Sequence, residues 1–228
     1  METFQLSEKL LKKIADLISA KKNTPLKKIV KDIHFADMAE IINELNEQQG
    51  IYLIKLFDSE KTSEILTELD EDVREKILKA LSVKEIADEI EELDSDDAAD
   101  ILGELSDERK EEVISEISDD NLADDLKELL SYEEDSAGGL MAKELVQANE
   151  NWSVTKCLRE IKKQGENVTR VHSIYVVDDK QKLIGRLSLK DLITSPAKNL
   201  IKDIYIPKVD SVNVYDDGEE VAKIMSKY

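Results

Sequence analysis

The chain has 228 residues and carries 52 acidic against 32 basic side chains, a formal net charge of -20. This excess makes nucleic acid and anionic lipid poor partners and favours cations and basic proteins. A single cysteine excludes a disulfide framework and a multi-cysteine zinc site, and the apolar runs are too short to span a bilayer. We expect a soluble, cytosolic chain that binds no nucleic acid and does not itself insert into a membrane.

Residues 1–33 predict an amphipathic helix followed by a linker. Apolar residues at helical spacing form one face of this helix, and the basic pair Lys21 and Lys22 closes it. The apolar residues are Phe4, Leu10, Leu11, Ile14, Leu17 and Ile18. We expect the helix to pack on the repeat that follows, with a membrane surface or a partner protein as the alternatives.

Residues 34–129 divide without gaps into eight units of twelve residues. The ninth position is always Ile or Leu and the twelfth is always large and apolar, a spacing of three that indicates a helix. The first position is mostly Asp, Ser or Asn, which are good N-caps. Such short helices are marginal alone. The pattern therefore predicts a stacked α-helical superhelix over 34–136 that buries its ninth and twelfth positions.

The negative charge is concentrated in this repeat region. Between residues 34 and 135 lie 35 of the acidic residues and nine of the basic ones, while the flanking segments are slightly basic. A field of this kind collects counter-ions. The alternative is that most of these acids cap helices and cover a solvated face.

A different module begins at the pair Gly138-Gly139, which breaks the helical pattern. Residues 137–200 predict a strand at 145–149, a helix at 153–163, two strands joined by a turn at 178–182, and a helix that Ser188 starts. After Pro196 the pattern restarts over 201–228, with a strand predicted at 211–214 and a helix from Gly218. The fold class is therefore α + α/β, and the second copy looks cut short, so we expect a longer natural protein.

Three stretches carry a resemblance to a known family: LDSDDAADIL at 93–102, YEEDSAGGLM at 132–141 and IYVVDDKQKLIGRLSLKDLI at 174–193. Together they resemble the cytosolic part of MgtE-type magnesium transporters. In that family an N-terminal superhelical domain is followed by CBS (cystathionine β-synthase) modules. The resemblance implies an acidic N domain at 34–136, a first CBS module at 137–200 and the start of a second at 201–228.

The resemblance also implies a function and a set of ligands. In the family this region senses Mg2+, and ions bound between the N domain and the CBS domain hold a closed state. It further implies a homodimer formed through the CBS region, the transmembrane part of the same protein as partner, and a place on the cytoplasmic side of the cell membrane. The residues that match the family's ligands are Glu64, Asp96, Asp100, Glu219 and, through its backbone carbonyl, Gly139.

The chemistry of Asp96 and Asp100 is compatible with that role. Residues four apart on a helix share a face, and two carboxylates placed so repel each other unless a cation neutralises them. Mg2+ takes oxygen ligands, often only one or two carboxylates with waters. The alternative reading of Asp96 is a first-turn residue behind the cap Asp94. An EF-hand is rejected, because Leu105 stands where that loop needs Glu.

Ser188 and Asp191 form a second candidate site. The resemblance to CBS modules implies that a Ser and an Asp at this spacing bind the ribose of an adenine nucleotide, which makes ATP a second candidate ligand. The alternative is a capping box in which Ser188 starts a helix. His172 and Ser173 stand where other family members have aromatic residues for the base.

Catalytic motifs are missing from the sequence. It contains no phosphate-binding loop, dinucleotide fingerprint or nucleophile elbow, and His34, His172 and Cys157 are isolated. We therefore do not expect an enzyme. Besides the Mg2+ sensor, two alternatives stay open: a protein-interaction scaffold of short helical repeats, and an adenine-nucleotide-sensing CBS module.

Overall fold

The computed structural model describes residues 6–165, 168 and 171–227 and divides the chain into two units, Met1–Leu130 and Ser131–Tyr228. Phe4, which we assigned to the first helix, and Tyr228, the last residue of the second CBS copy, lie outside the described residues. Within them, no helix is both long and apolar enough to cross a bilayer.

The described part of the first unit contains ten α-helices. They are α1 (Glu8–Ser19), α2 (Asn23–Val30), α3 (Phe35–Asn43), α4 (Glu47–Ile54), α5 (Ser59–Glu68), α6 (Glu71–Ala80), α7 (Val83–Ile90), α8 (Ser95–Gly103), α9 (Asp107–Glu116) and α10 (Asp120–Leu129). Helices α3 to α10 correspond one to one to the eight repeat units.

The first residue of a repeat unit is its helix N-cap in seven of the eight units, as predicted. Asn46 and Ser82 form full capping boxes, in which cap and third helical residue exchange hydrogen bonds. The last unit departs from the pattern, because α10 is capped by Asp119 and not by Ser118. The amide of Ser118 instead donates to the carboxylate of Glu91.

Alternate helices of the repeat pack on each other. Helix α5 lies between α3 and α7, and α7 lies between α5 and α9. On the other side, α4 packs on α6 and α8 packs on α10. Short helices that are marginal alone thus acquire two neighbours, which is the stacking that the twelve-residue period predicted.

The buried stripe of most repeat helices comes from the eighth and ninth positions of the unit. Seven of the eight ninth positions are buried, which confirms the prediction, but only four of the eight twelfth positions are. Helix α3 ends at Asn43 and α4 at Ile54, so the twelfth residue lies in the connection. The eighth positions take its place, and six of them are at most 2% exposed: Ile41, Leu53, Ile65, Ile77, Ile101 and Val113.

Basic side chains from one helix cap the carbonyl end of another. The ammonium of Lys61 donates to the carbonyl oxygens of Val30 and Ile33 at 3.1 and 3.0 Å, at the end of α2. The guanidinium of Arg109 donates to the carbonyl of Leu78, near the end of α6, at 3.0 Å. These bonds satisfy carbonyl groups that the helices themselves leave open.

The N-terminal segment contains two helices where we expected one and a linker. Pro25 stands in the first turn of α2, where its missing N–H and fixed φ are tolerated. Helix α1 buries Ile14 and Ile18 and packs on α2 and on α4, the helix of the second repeat. We expected α1 to pack on the first repeat. This was wrong, because its main repeat partner is α4 of the second repeat.

The second unit is a small mixed sheet with helices. Strand β1 (Val146–Asn149) pairs in parallel with β2 (Ile174–Val177), which pairs antiparallel with β3 (Leu183–Leu187). The helices are α11 (Val154–Gln164), α12 (Leu189–Thr194) and α13 (Gly218–Met225), with a 3-10 turn at Ile201–Asp203. The predicted order of elements over 145–194 is confirmed, and the helix from Gly218 is confirmed as well.

The strand that we predicted at 211–214 is wrong. Residues 211–213 have no regular structure, because side chains of the segment supply its local hydrogen bonds. The amide of Asn213 donates to the Asp216 carboxylate at 2.8 Å, and the amide of Tyr215 donates to the Asn213 side chain at 3.1 Å. Such local bonds offer the backbone a turn in place of a strand.

Candidate functional site

Helix α8 carries Asp96 and Asp100, the paired carboxylates that the sequence singled out. Asp94 is the N-cap, and Asp96 and Asp97 lie in the first turn, where the helix dipole favours negative charge. Ala98 and Ala99 are buried and anchor the opposite face of the helix. The structure therefore places Asp96 half-buried and Asp100 exposed, one turn apart on α8.

The acids around α8 are close enough to affect each other. The pKa of Asp97 is raised above its usual value, first by partial burial of its carboxyl and then by the charges of Asp96, Asp100 and Asp94. The charge of Glu68, from the end of α5, contributes as well. This part of the first unit is a negatively charged cluster in which an added proton or cation is favoured.

Two members of this cluster were not among the residues predicted from sequence. Asp97 belongs to the same DSDD run as Asp96, so its acidity was visible but its role was not. Glu68 stands three repeat units earlier, and no local pattern joins it to α8. Only the packing of the repeats brings its charge within reach of Asp97.

Glu64 lies on α5, one turn before Glu68, and its side chain is exposed. It lines a groove of about 340 Å3 whose other polar residues include His34, Asp58 and Lys61. Within the described part of the chain, no group of three or more Asp, Glu, His or Cys side chains is arranged to hold a metal ion. Glu64 is thus not brought into a three-carboxylate site with Asp96 and Asp100.

The donors on α8 nevertheless suit Mg2+. They are all carboxylate oxygens, and Mg2+ is commonly held by one or two carboxylates while it keeps several of its waters. The pKa of Asp97 is raised by burial first and by the neighbouring negative charges second. A partly hydrated divalent ion would relieve this repulsion by binding to Asp96 and Asp100.

In the second unit, Gly139 lies in a tight turn that Ser136 organises. The hydroxyl of Ser136 donates to the carbonyl of Glu133 at 2.6 Å and accepts from the amide of Gly139 at 3.2 Å. A Cβ at position 139 would meet the carbonyl oxygen of Glu134 at 2.8 Å. Only glycine fits here, and its own carbonyl belongs to this close-packed turn.

The turn with Gly139 is hydrogen-bonded to the segment that leads into α13. The amide of Ala137 donates to the carbonyl of Asp216, and the amide of Gly138 donates to that of Val214, both at 2.8 Å. Glu219 is the second residue of α13, and its side chain is exposed. The structure therefore brings the segments of Gly139 and Glu219 together within the second unit.

Ser188 is the N-cap of α12, so the capping alternative is confirmed for this residue. Its hydroxyl accepts from the amide of Asp191 at 3.0 Å and donates to the Asp191 carboxylate at 2.7 Å. Both groups that we considered for a ribose are therefore engaged with each other. A ribose hydroxyl would have to replace Ser188 as the partner of the carboxylate or share it.

A groove of about 610 Å3 lies on the sheet of the same unit. Its lining combines an aromatic ring, hydroxyl groups and basic side chains, as in Tyr175, Ser173, Arg186 and Lys208. Tyr175 is 39% exposed, which leaves part of its side chain accessible. From the sequence we placed Ser173 near a nucleotide base but missed Arg186 and Lys208. Arg186 comes from β3, and Lys208 comes from the segment between the 3-10 turn and α13.

His34 and Cys157, which are isolated in the sequence, serve the fold: one caps a helix and the other lies in a hydrophobic core. The imidazole of His34 accepts the amide of Ala36 as the N-cap of α3. Cys157 is fully buried in the core of the second unit, and burial raises the pKa of its thiol to about 11. A thiol with this pKa is protonated near neutral pH and is a poor nucleophile or metal ligand.

Comparison with known proteins agrees with these features. The sequence family described as MgtE intracellular N domain matches residues 33–135, and the CBS domain family matches residues 137–198. Over 100 residues the chain is 42% identical to the magnesium transporter MgtE of Thermus thermophilus and 38% identical to that of Enterococcus faecalis. These matches cover 44% of this chain and only 22% of each relative.

Solved structures extend the likeness to almost the whole chain. A crystal structure of the cytosolic domain of the Mg2+ channel MgtE in complex with ATP matches with a TM-score of 0.84 and 30% identity, over 96% of this chain and 89% of that one. The soluble part of a magnesium transporter matches with a TM-score of 0.76 and 26% identity, over 97% of this chain and 87% of that one.

A repeat of short acidic helices joined to a CBS-type sheet is the architecture of a regulatory region of a magnesium transporter. The two family matches lie side by side in the order that this architecture requires. The chain belongs to the MgtE family and corresponds to the part that the solved relative describes as its cytosolic domain.

Proposed function

We propose that this chain is the Mg2+-sensing regulatory region of a magnesium transporter or channel. In this proposal Mg2+ binds between the acidic N domain and the CBS domain and stabilises a closed state. The observation that supports it most directly is the crowding of carboxylates around Asp97, Asp96 and Asp100 on α8. This local repulsion is relieved when a divalent cation binds.

The proposal requires that the ion binds one arrangement of the two units better than others. An ion shifts an equilibrium between arrangements only by its difference in affinity for them. If Asp96 and Asp100 supply carboxylates and the Gly139 turn supplies a backbone carbonyl, the ion gains all three protein ligands in one arrangement alone and keeps waters at its other positions. Glu64 and Glu219 would provide further carboxylates at the same or neighbouring ions.

The remaining elements of the proposal concern the whole protein. The transmembrane part of the same polypeptide is the partner that the closed state acts on, and the regulatory region lies on the cytoplasmic side of the membrane. Two copies associate through the CBS region. Exposed apolar side chains on α11 and α12, namely Leu158, Leu189 and Ile193, support such an association.

Limited proteolysis of the junction at 130–140 tests this function. We expect millimolar Mg2+ to slow cleavage there, because ion binding reduces the population of open forms. The double variant Asp96→Asn with Asp100→Asn should abolish the protection. NaCl at equal ionic strength separates specific binding from charge screening.

A matched control uses two exposed acids at the same spacing on another helix. Asp120→Asn with Asp124→Asn removes one carboxylate from the first turn of α10 and one from the next turn. This variant should keep the Mg2+ response of the unmodified chain. Cleavage that is the same with and without Mg2+ in the unmodified chain would contradict the proposed function.

Adenine-nucleotide sensing is a second candidate, which the groove with Tyr175, Arg186 and Lys208 supports. An aromatic ring can stack on a base, and basic side chains can pair with phosphates. A relative's structure is described as a complex with ATP. Calorimetry should detect ATP binding to the unmodified chain, and Arg186→Ala and Asp191→Ala should each weaken it. If the unmodified chain shows no heat of binding, adenine-nucleotide sensing is contradicted.

A further inference from the structure

One glutamate interrupts the apolar interior of the repeat. In the first seven units the eighth position is buried, and in six of these units it is Ile, Leu or Val. The fifth unit has Glu89 in this place, on α7, and only 8% of the residue is exposed. The helices that pack on α7 have apolar residues at the same position, Ile65 on α5 and Val113 on α9, and both are fully buried.

The Glu89 carboxyl group has an unsatisfied oxygen. Its Oε2 atom is buried and has no hydrogen-bond partner within the described residues. A buried carboxylate without a donor is strongly disfavoured, because it loses its hydration and gains nothing in exchange. A protonated carboxyl group carries no charge and tolerates this position much better.

The charges around Glu89 increase this preference for the neutral form. On α7 itself, Glu85 and Asp88 contribute negative charge, as does Glu92 just after the helix. Asp58, the N-cap of the packed helix α5, contributes negative charge as well. Each of these charges adds repulsion to the penalty that burial imposes on an ionised Glu89.

The basic groups of the neighbouring helices have partners other than Glu89, and only the Nε atom of Arg109 is buried without a hydrogen-bond partner within the described residues. Lys61 of α5 donates to the carbonyl end of α2, and Arg109 of α9 donates to the carbonyl of Leu78. Lys110 of α9 lies 3.7 Å from Asp107. The ammonium of Lys55 pairs with Glu85 at 3.1 Å.

Burial, first, and then these negative charges raise the pKa of Glu89 to about 8. We propose that Glu89 is a buried proton-binding residue which makes the packing of α7 between α5 and α9 sensitive to pH, so that the first unit loses stability from mildly acidic to mildly alkaline solution. Bound protons and not metal ions are the ligand of this position. The device is independent of the Mg2+ function proposed above.

The direction of the pH dependence follows from the two protonation equilibria. An unfolded glutamate loses its proton near pH 4.5, whereas folded Glu89 keeps it to about pH 8. Between these values the folded state binds one proton more than the unfolded state. Glu89 by itself therefore raises the unfolding constant about tenfold per pH unit in this window, and its contribution levels off above it.

The test compares the unmodified 228-residue chain with Glu89→Gln, which keeps the shape of the side chain but does not titrate. Urea unfolding is followed by far-UV circular dichroism from pH 5 to 9, since ten of the thirteen described α-helices lie in the first unit. The ratio of unfolding constants, unmodified over variant, should rise about tenfold per unit from pH 5 to 7 and flatten above about pH 8. Glu111→Gln, an exposed glutamate on α9, is the matched control and should give a nearly flat ratio.

A direct measurement completes the test. Carboxyl-carbon NMR of the folded chain, assigned with Glu89→Gln, should show Glu89 titrating near pH 8. If Glu89→Gln does not fold, Glu89→Leu replaces it, because Leu also occurs at the eighth position in the second unit. A ratio that does not change with pH, or a carboxyl midpoint below about pH 6, would overturn the proposal.

Discussion

The carbonyl oxygen of Asp135 accepts a hydrogen bond from the amide of Gly218 at 2.7 Å. This bond ties the turn with Gly139 to the N-terminus of α13, which carries Glu219. A Cβ at position 218 would lie 2.7 Å from the same oxygen and 2.8 Å from a methyl group of Leu140. The close approach of the two segments therefore requires glycine at this point.

Gly218→Ala should destabilise the second unit by about 1–3 kcal/mol, because the added methyl group forces the two segments apart. Urea unfolding followed by the fluorescence of Trp152, the single tryptophan, reports on this unit. Gly165→Ala is the control, since a Cβ there meets nothing within 4 Å. Equal stability of the two variants would show that the packing around Gly218 is not tight.

The ion pair between Arg74 and Glu104 should contribute more to the stability of the first unit than its exposed ion pairs do. Both side chains are less than one-fifth exposed, and the guanidinium also donates to the carbonyls of Leu66 and Leu69 at the end of α5. Arg74→Met should cost about 3 kcal/mol in urea unfolding, because the buried Glu104 carboxylate loses its cation.

Two further variants test this explanation of the Arg74 pair. Arg74→Met combined with Glu104→Met should recover much of the loss, because no buried charge remains. Lys79→Met breaks an exposed pair with Glu75 and should change the free energy of unfolding by less than about 0.5 kcal/mol. A double variant as unstable as the single one would show that helix capping, and not the charge pair, dominates.

Asp97→Asn should stabilise the first unit in the absence of divalent cations by about 0.5 kcal/mol, since it removes one like charge from the cluster around α8. The pKa of Asp97 is raised in the folded state, so the folded carboxyl binds its proton more tightly than the unfolded one. The gain should therefore be present at neutral pH and disappear as pH falls below the usual Asp range. Chemical unfolding at pH 7 and pH 3 measures it, and a gain that persists at the lower pH would contradict the electrostatic cause.

Cys157 should react slowly with a disulfide reagent at pH 8 in the folded chain. The residue is fully buried, and the pKa of its thiol is raised to about 11 by that burial. Modification then requires opening of the second unit, and its rate should increase greatly in urea. Immediate labelling under native conditions would mean that the core around Cys157 is open.

Much of the first unit could be predicted from sequence because its signals are local. A twelve-residue period, a capping side chain such as Ser82 and an apolar ninth position such as Leu66 act within one helix. The same holds for the order of strands and helices around Ser188. Asp96 and Asp100 could also be recognised from a family motif, because both lie within one short stretch of sequence that forms a single helix.

The amino-acid sequence by itself thus determined the repeat, its caps and the change of architecture at the glycine pair. Tertiary structure alone decided that the eighth positions are buried together with the ninth, which gives Glu89 its unusual surroundings. It also decided that the charge of Glu68 acts on Asp97. Capping and periodicity depend on residues close in the chain, whereas burial and electrostatic repulsion depend on which distant helices come to lie against each other.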